Sequence, residues 1–408
     1  MNTGHQAADP TITAAFHSVL ATQLLIAVAL LVVLSLAWTL LQSAMSETDA
    51  DSSRSLGPDP EPVARRFVRI AFAILWILDG LLQAQPEIPL GLPSQVIEPA
   101  AASSPVWLQQ LVNWGVLIWR QQPVEAAAAT VWIQVGIGLW LLAAPRGRPS
   151  QAAGLAAAVW GLAVWVFGES LGGILSPQAS WLTGAPGAVL FYVWAGILVA
   201  LPERWWAGPW LGRATLRLMG LIFLVSALVQ ALPSRGFWRG EGGSLSTMVR
   251  QMAQTPQPGV LSGWLSSFAG FSASHAVAVN LVAVVALGAI GAVFLSTRPR
   301  LVLPAVVTAL ALGLADWVLV QDLGFLGGTG TDPNSALPMA LIYVTGYLAV
   351  RPVPGSEVAS RPPRTTRWGD LNRRNLFRWF AAGGAVGITL LGAVPLLASA
   401  LELVARGR

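Results

Sequence analysis

Carboxylates and carboxamides are scarce in this chain, and those that occur inside or beside long apolar runs are the residues whose chemistry could matter. Asp79 and Gln83 stand four residues apart near the end of one such run. Glu169 and Ser170 follow a second run and are themselves followed by Leu171, Gly172 and Gly173. Gln230 ends a third run, while Asp316, Gln321 and Asp322 close a fourth. An ionisable group in or at the edge of hydrocarbon is costly unless it faces protein, water or a ligand, so these residues, Leu171 apart, read as ten candidate ligand-binding positions. Two roles are open for Glu169. It is either the acid of a cavity that Gly172 and Gly173 let a ligand approach closely, or a cap accepting hydrogen bonds from backbone N–H groups of its own loop. Asp322 carries the same two readings, and Asp79, embedded in its run, reads as a functional or a helix-pairing group.

Metal chemistry has little to work with. His17 and His275 fall near the ends of apolar runs and form a weak candidate pair for a metal or a haem, while His5 belongs to a polar tail. The sequence contains no Cys, which excludes disulfides, thiolate metal sites and Cys nucleophiles. Walker, H-E-x-x-H, G-x-S-x-G and dinucleotide-binding fingerprints are all missing, so no catalytic residue is assigned.

The elements that must position these groups are set by composition. Of 408 residues, 54% are hydrophobic and only 11% charged, with a mean hydropathy of +0.62. A water-soluble fold would carry a charged fraction of roughly a quarter, so this composition describes an all-α, polytopic bundle of transmembrane helices. Ten runs meet or approach the length of a span: 15–41, 66–84, 123–144, 151–167, 187–201, 214–232, 275–296, 301–319, 337–350 and 376–403. The fifth and ninth are short, which implies that the Gly/Pro loops before them dip into the membrane.

Part of the chain is written twice. Residues 161–188 realign without a gap on 313–340, with nine of 28 positions identical, among them Gly161/Gly313, Trp165/Trp317, Gly172/Gly324 and Pro186/Pro338. Likewise Gln83-Ala-Gln-Pro86 matches Gln230-Ala-Leu-Pro233. The expectation is therefore two tandem four-helix repeats in the same orientation, 66–202 and 214–351, with one extra helix at each end, 1–42 and 376–408. An acidic, proline-containing linker, 43–65, and a basic one, 352–375, join these parts.

All 24 basic residues are Arg, and the net charge of +5 reads as membrane topology rather than as a nucleic-acid patch. Placing both termini on the extracytoplasmic side puts 18 of the 24 in the cytoplasm. The first apolar run reads as a retained helix of a bacterial cytoplasmic-membrane protein rather than as a cleaved signal peptide. On this topology every candidate polar residue lies at the extracytoplasmic end. Residues 85–122 begin as a Pro/Ser-rich loop and continue as a helix in the membrane interface, with Trp107, Leu111, Trp114, Leu117 and Ile118 at helical spacing, and 263–271 occupies the corresponding place in the second repeat. Nineteen tryptophans fit anchoring at the two interfaces.

Two resemblances follow from particular residues. The stretch from Arg367 to Gly387, with Arg373-Arg374 before an Ala/Gly-rich helix, resembles a twin-arginine export signal; it also reads as a basic flank of the last helix. The opening R-I-A-F-A-I-L-W-I-L-D-G-L-L-Q, from Arg69 to Gln83, resembles that of the DoxX-type four-helix membrane family, and W-V-F-G-E-S-L-G-G followed by L-T-G-A-P-G-A is similar to a group of actinobacterial-type polytopic membrane proteins. The DoxX resemblance spans about 280 of the 408 residues. It implies an accessory membrane subunit that binds a quinone or other lipid-like molecule and supports a redox partner. A small-solute or ion transporter is the alternative, since paired repeats with intramembrane carboxylates also serve transport. A structural scaffold is the third.

Overall fold

With no water in hydrocarbon, each backbone N–H and C=O must be satisfied inside its own segment, and long runs of Ala, Val and Leu therefore wind into helices. The computed structural model describes residues 9–46, 61–177, 179–325, 329–351 and 373–406, and among these every regular element is helical. In chain order the helices are α1 (Pro10–Ser46), α2 (Val63–Leu82), α3 (Val106–Gln121), α4 (Pro123–Ala143), α5 (Gly147–Phe167), α6 (Ala188–Ala200) and α7 (Trp210–Ala231). They continue with α8 (Ser244–Ala253), α9 (Gly259–Ser274), α10 (Ala276–Ser296), α11 (Pro299–Leu319), α12 (Ala336–Val350) and α13 (Arg373–Arg406). Seven of them, α1, α4, α5, α7, α10, α11 and α13, are long and apolar enough to cross a membrane, and the chain is a multi-pass membrane protein. Helices α6 and α12 are shorter apolar helices.

The helix ends fall within a few residues of the expected runs. The expected loop before α3 differs more: Ile88–Ala101 is helical almost throughout, with a π-helical stretch at Leu92–Ile97 beside Pro93. Helix α3 turns Leu108, Val112 and Trp119 inward and leaves Trp107 and Leu117 more than half exposed. That outward apolar face suits lipid. Most of the two linkers, 47–60 and 352–372, lies outside the described residues, as does His5, so Arg54, Arg361, Arg364 and Arg367 have no structural account.

Packing follows a repeated scheme. Helix α2 pairs with α4 and α5 with α6, while α7 pairs with α10 and α11 with α12; α12 also packs on α2 and α6, joining the two groups. Small residues set the closest crossings. A Cβ on Gly154 of α5 would lie 2.6 Å from the Gly196 carbonyl of α6, and one on Gly220 of α7 would lie 2.7 Å from the Gly291 carbonyl of α10. Helix α13 lies along α4, with α1 against both.

At one end of the first group, buried arginines hold three helices together. Arg65 and Arg69 of α2 both bind Glu61, at 2.8 and 2.7 Å. The same guanidinium groups donate to the Leu141 carbonyl at 2.8 Å, near the α4 C-terminus, and to the Val199 carbonyl at 3.2 Å, near that of α6. A cation there complements the carbonyl ends of both helix dipoles.

Candidate functional site

The turn that leaves α5 is built to bring a carboxylate back onto the next helix. Gly168 caps α5, and Ser170, Leu171 and Gly172 then adopt φ values of 50°, 59° and 63°, which reverse the chain. A Cβ on Gly172 would sit 1.8 Å from the Pro186 carbonyl oxygen, so only glycine lets the two ends of this loop meet. Glu169 is thereby placed beneath α6, where its carboxylate accepts hydrogen bonds from Ala188 N–H at 3.1 Å and Val189 N–H at 3.3 Å. These are two of the backbone donors that every helix start leaves unpaired. Trp165 closes the loop by donating from Nε1 to the Pro186 carbonyl at 2.8 Å.

The turn that leaves α11 repeats this geometry with one chemical change. Asp322, Leu323 and Gly324 have φ values of 52°, 58° and 79°, and Trp317 Nε1 donates to the Pro333 carbonyl at 2.7 Å. Gln321 stands where Glu169 stood: its Oε1 accepts from Ala336 N–H at 3.3 Å and its Nε2 donates to Ser335 Oγ at 3.3 Å. The structural counterpart of Pro186 is thus Pro333 rather than Pro338, because the second loop returns five residues sooner than the gapless alignment assumes.

Each loop docks on the opposite helix group. From the first, Ser180 Oγ donates to Gln230 Oε1 on α7, and Arg235 donates to the Ser176 carbonyl at 3.0 Å. From the second, Gly330 accepts from Gln85 Nε2 at 2.8 Å and Thr329 donates to Gln95 Oε1 at 2.7 Å. The second latch delivers Asp332 to the first helix group, where Asp79, Glu169, Tyr192 and Asp332 come within electrostatic range of one another. Asp332 Oδ1 accepts from Asn334 N–H at 2.7 Å and Oδ2 from Thr331 at 3.1 Å. Enclosure nonetheless holds its carboxyl above the usual range, because desolvation of the charged form outweighs those two hydrogen bonds.

Glu169 and Asp332 line a cavity of about 990 Å³ between α3, α4, α5 and α13. Its long walls are apolar, made by Val159, Ala163 and Phe167 of α5 and by Ala393, Leu396 and Leu397 of α13. Gln83 and Gln134 also line it, and both are at least nine-tenths buried with Oε1 atoms that have no hydrogen-bond partner. Trp160 Nε1 is a buried donor in the same position. Cavities of this size, mostly apolar with a few convergent polar groups, are the usual form of a small-molecule site.

The ten sequence candidates divide between this cavity and several places away from it. Asp79, Gln83, Glu169, Gly172 and Gly173 gather at the cavity: four of them line it, and Asp79 stands one helical turn before Gln83. Asp316 and Gln321 bond each other beneath α12 and do not line it, although Gln321 reaches the lining residue Ser335. Gln230 is fully buried among Ser180 and Asn280, with Gln230 Nε2 donating to Asn280 Oδ1 at 2.7 Å. Ser170 is buried against Ser104 Oγ at 2.9 Å. Asp322 shows no capping hydrogen bond among the described residues; its Oδ2 accepts from Thr255 Oγ1 at 3.4 Å. His17 and His275 are both exposed, on α1 and at the α9–α10 junction, with His275 Nδ1 2.8 Å from Ser274 Oγ. Among the described residues no group of three or more His, Asp or Glu side chains could hold a metal ion.

Sequence reasoning missed Tyr192, Asp332, Gln134 and the α13 wall. Gln134 carried a usable signal, an amide in the middle of an apolar run. Asp332 looked like an ordinary turn residue. No family model, curated protein or solved structure matches the chain.

Proposed function

We propose that the protein is a multi-pass subunit of a bacterial cytoplasmic membrane that holds a lipid-like molecule, the quinone class included, near the extracytoplasmic face. The cavity carries this reading. It offers an apolar length for a chain or ring stack, and polar groups collect only where the Glu169 and Asp332 loops meet it. Trp160 Nε1 would donate to a carbonyl of a quinone head, and quinone itself would supply electron transfer to a partner. Support of a redox complex, and membership of the DoxX-type family, rest on the sequence resemblance alone.

The topology that goes with it has ten spans, α2 to α6 and α7 to α12 forming two like-oriented four-span repeats with α1 and α13 outside them. The matched turns after α5 and α11 and the matched helix pairs support this arrangement. Orientation follows from the arginines, which favour the cytoplasmic side. Transport is the weaker reading, because the Arg65–Arg69–Glu61 cluster ties the opposite ends of α2, α4 and α6 together and the walls leading there are apolar.

Binding is tested by titrating the detergent-solubilised chain with a decyl-chain benzoquinone and following tryptophan fluorescence. Saturable quenching is expected, weakened about tenfold by Ala163→Phe, which fills the apolar end. Quenching that never saturates, or that the substitution leaves unchanged, rejects the cavity as the site.

A further inference from the structure

We infer that the ligand of this cavity carries a positively charged, amine-type head, and that Glu169 and Asp332 receive it. The inference rests on the lipid-like reading above and names the head group. Its first support is a comparison the chain makes with itself. At the α12 start the capping task is performed by the neutral amide of Gln321, which accepts from Ala336 N–H at 3.3 Å. At the α6 start the same task, on the same left-handed turn, is given to a carboxylate. Capping therefore does not require the charge at 169. The charge also faces the cavity, which Gln321 does not line.

The second support is what the cavity lacks. Glu169 and Asp332 line it together, yet among the described residues none that lines it is Arg, Lys or His. Nearby arginines have other acceptors: Arg120 pairs with Glu98 at 2.6 Å, and Arg235 donates to the carbonyl of Ser176, itself a lining residue, at 3.0 Å. Two acids in a largely apolar space are held as carboxylates only beside a positive partner, which the described lining residues do not supply. The third support is independent of those acids. The Oε1 atoms of Gln83 and Gln134, in side chains 6% and 4% exposed, are acceptors awaiting a donor. An ammonium group supplies up to three N–H donors and a charge together.

A metal ion meets these demands less well. The described residues assemble no group of three or more ligating side chains, whereas an organic cation needs only hydrogen-bond acceptors and tolerates tryptophan faces such as that of Trp160. The apolar walls then take the alkyl part. No second copy of this site exists among the described residues at the α11 turn, since Gln321 replaces the acid there.

The experiment uses the full chain in a neutral maltoside detergent at pH 7, with dodecylamine and dodecan-1-ol as probes and native mass spectrometry as readout. The amine is expected to bind about tenfold more tightly than the alcohol. Glu169→Gln and Asp332→Asn should each reduce that preference about fivefold, weaken amine binding more than alcohol binding and leave the melting temperature within a few degrees. Glu169→Gln keeps an amide oxygen for capping, the acceptor that Gln321 uses, and Asp332→Asn is the second variant should the first fold poorly. Equal binding of amine and alcohol, both lost in Ala163→Phe, overturns the head-group assignment and leaves the lipid-like site standing. An amine preference that survives both substitutions overturns it as well. Failure of both probes to bind overturns the site together with its head group.

Discussion

Asp322 is the residue whose environment gives the most direct solution signature. It lies outside the spans, in the turn after α11, and burial beside Thr255 pushes its carboxyl up to about 6 because the charged form is desolvated and only one hydrogen bond offsets that cost. A folded-state value above the unfolded one means that folding favours the protonated acid. The protein is then most stable below about pH 4, loses stability as pH rises from about 4 through 6, and is level above that. Asp332 contributes a slope of the same sign, so the decisive quantity is a difference. Asp322→Asn should flatten part of the slope and stabilise the protein at pH 7 by about 1–2 kcal/mol, below the roughly 3 kcal/mol that the full shift would allow. Asparagine also tolerates the φ of 52° at this position. Thermal melts of both proteins from pH 4 to 8 check this; parallel curves would remove Asp322 from the account.

At the scale of elements, the contact between α13 and α4 decides whether the cavity has a second wall. Two glycines make that contact close. A Cβ on Gly392 of α13 would lie 2.4 Å from the Ala129 carbonyl, and one on Gly136 of α4 would lie 2.7 Å from the Thr389 backbone nitrogen. Gly392→Leu should therefore push α13 off α4 and weaken quinone or amine binding about tenfold, while the α2–α6 group stays folded. The two are separated by comparing ligand titrations with limited proteolysis of the detergent-solubilised variant. Retained affinity with a displaced α13 would mean that the helix is dispensable to the site. The turns after α5 and α11 make the complementary point. Their runs of four and three consecutive left-handed residues are an expensive conformation, kept in both places because it returns residue 169 or 321 to the start of the next helix.

For the whole molecule, the informative fact is the exchange of loops between the two helix groups. Ser180 reaches Gln230, Thr329 reaches Gln95, and the site consequently contains Glu169 from one half and Asp332 from the other. Neither half would hold both acids alone. The proposed orientation places these loops outside the cell, and the chain's lack of cysteine makes that simple to check. Single cysteines at the exposed positions Gln110 and Gly208 should differ in intact cells: Gln110→Cys is expected to react with a membrane-impermeant maleimide, and Gly208→Cys only after lysis. The reverse pattern would invert the topology and move the site to the cytoplasmic face.

Much of this was legible in the residues alone. Apolar length and the near absence of charge dictate membrane helices, because a backbone in hydrocarbon must satisfy itself, and the helix ends follow wherever Gly, Pro or Arg interrupts the run. The kinship of the α5 and α11 turns was visible as Trp165/Trp317 and Gly172/Gly324, and Asp79, Gln83 and Glu169 were visible as polar groups out of place. Which of them share a site was not. Asp316 and Gln230 looked equivalent to Glu169 by type and depth, yet the first is spent on Gln321 and the second on Asn280. Tyr192 meets Asp79 through the packing of α6 on α2, Asp332 joins them only because a loop crosses from one helix group to the other, and the cavity exists only because α13 folds back more than 200 residues along the chain onto α4. Periodicity and composition record the solvent that each segment meets; the identity of its neighbours is settled by side-chain packing between distant segments, which only the tertiary structure decides.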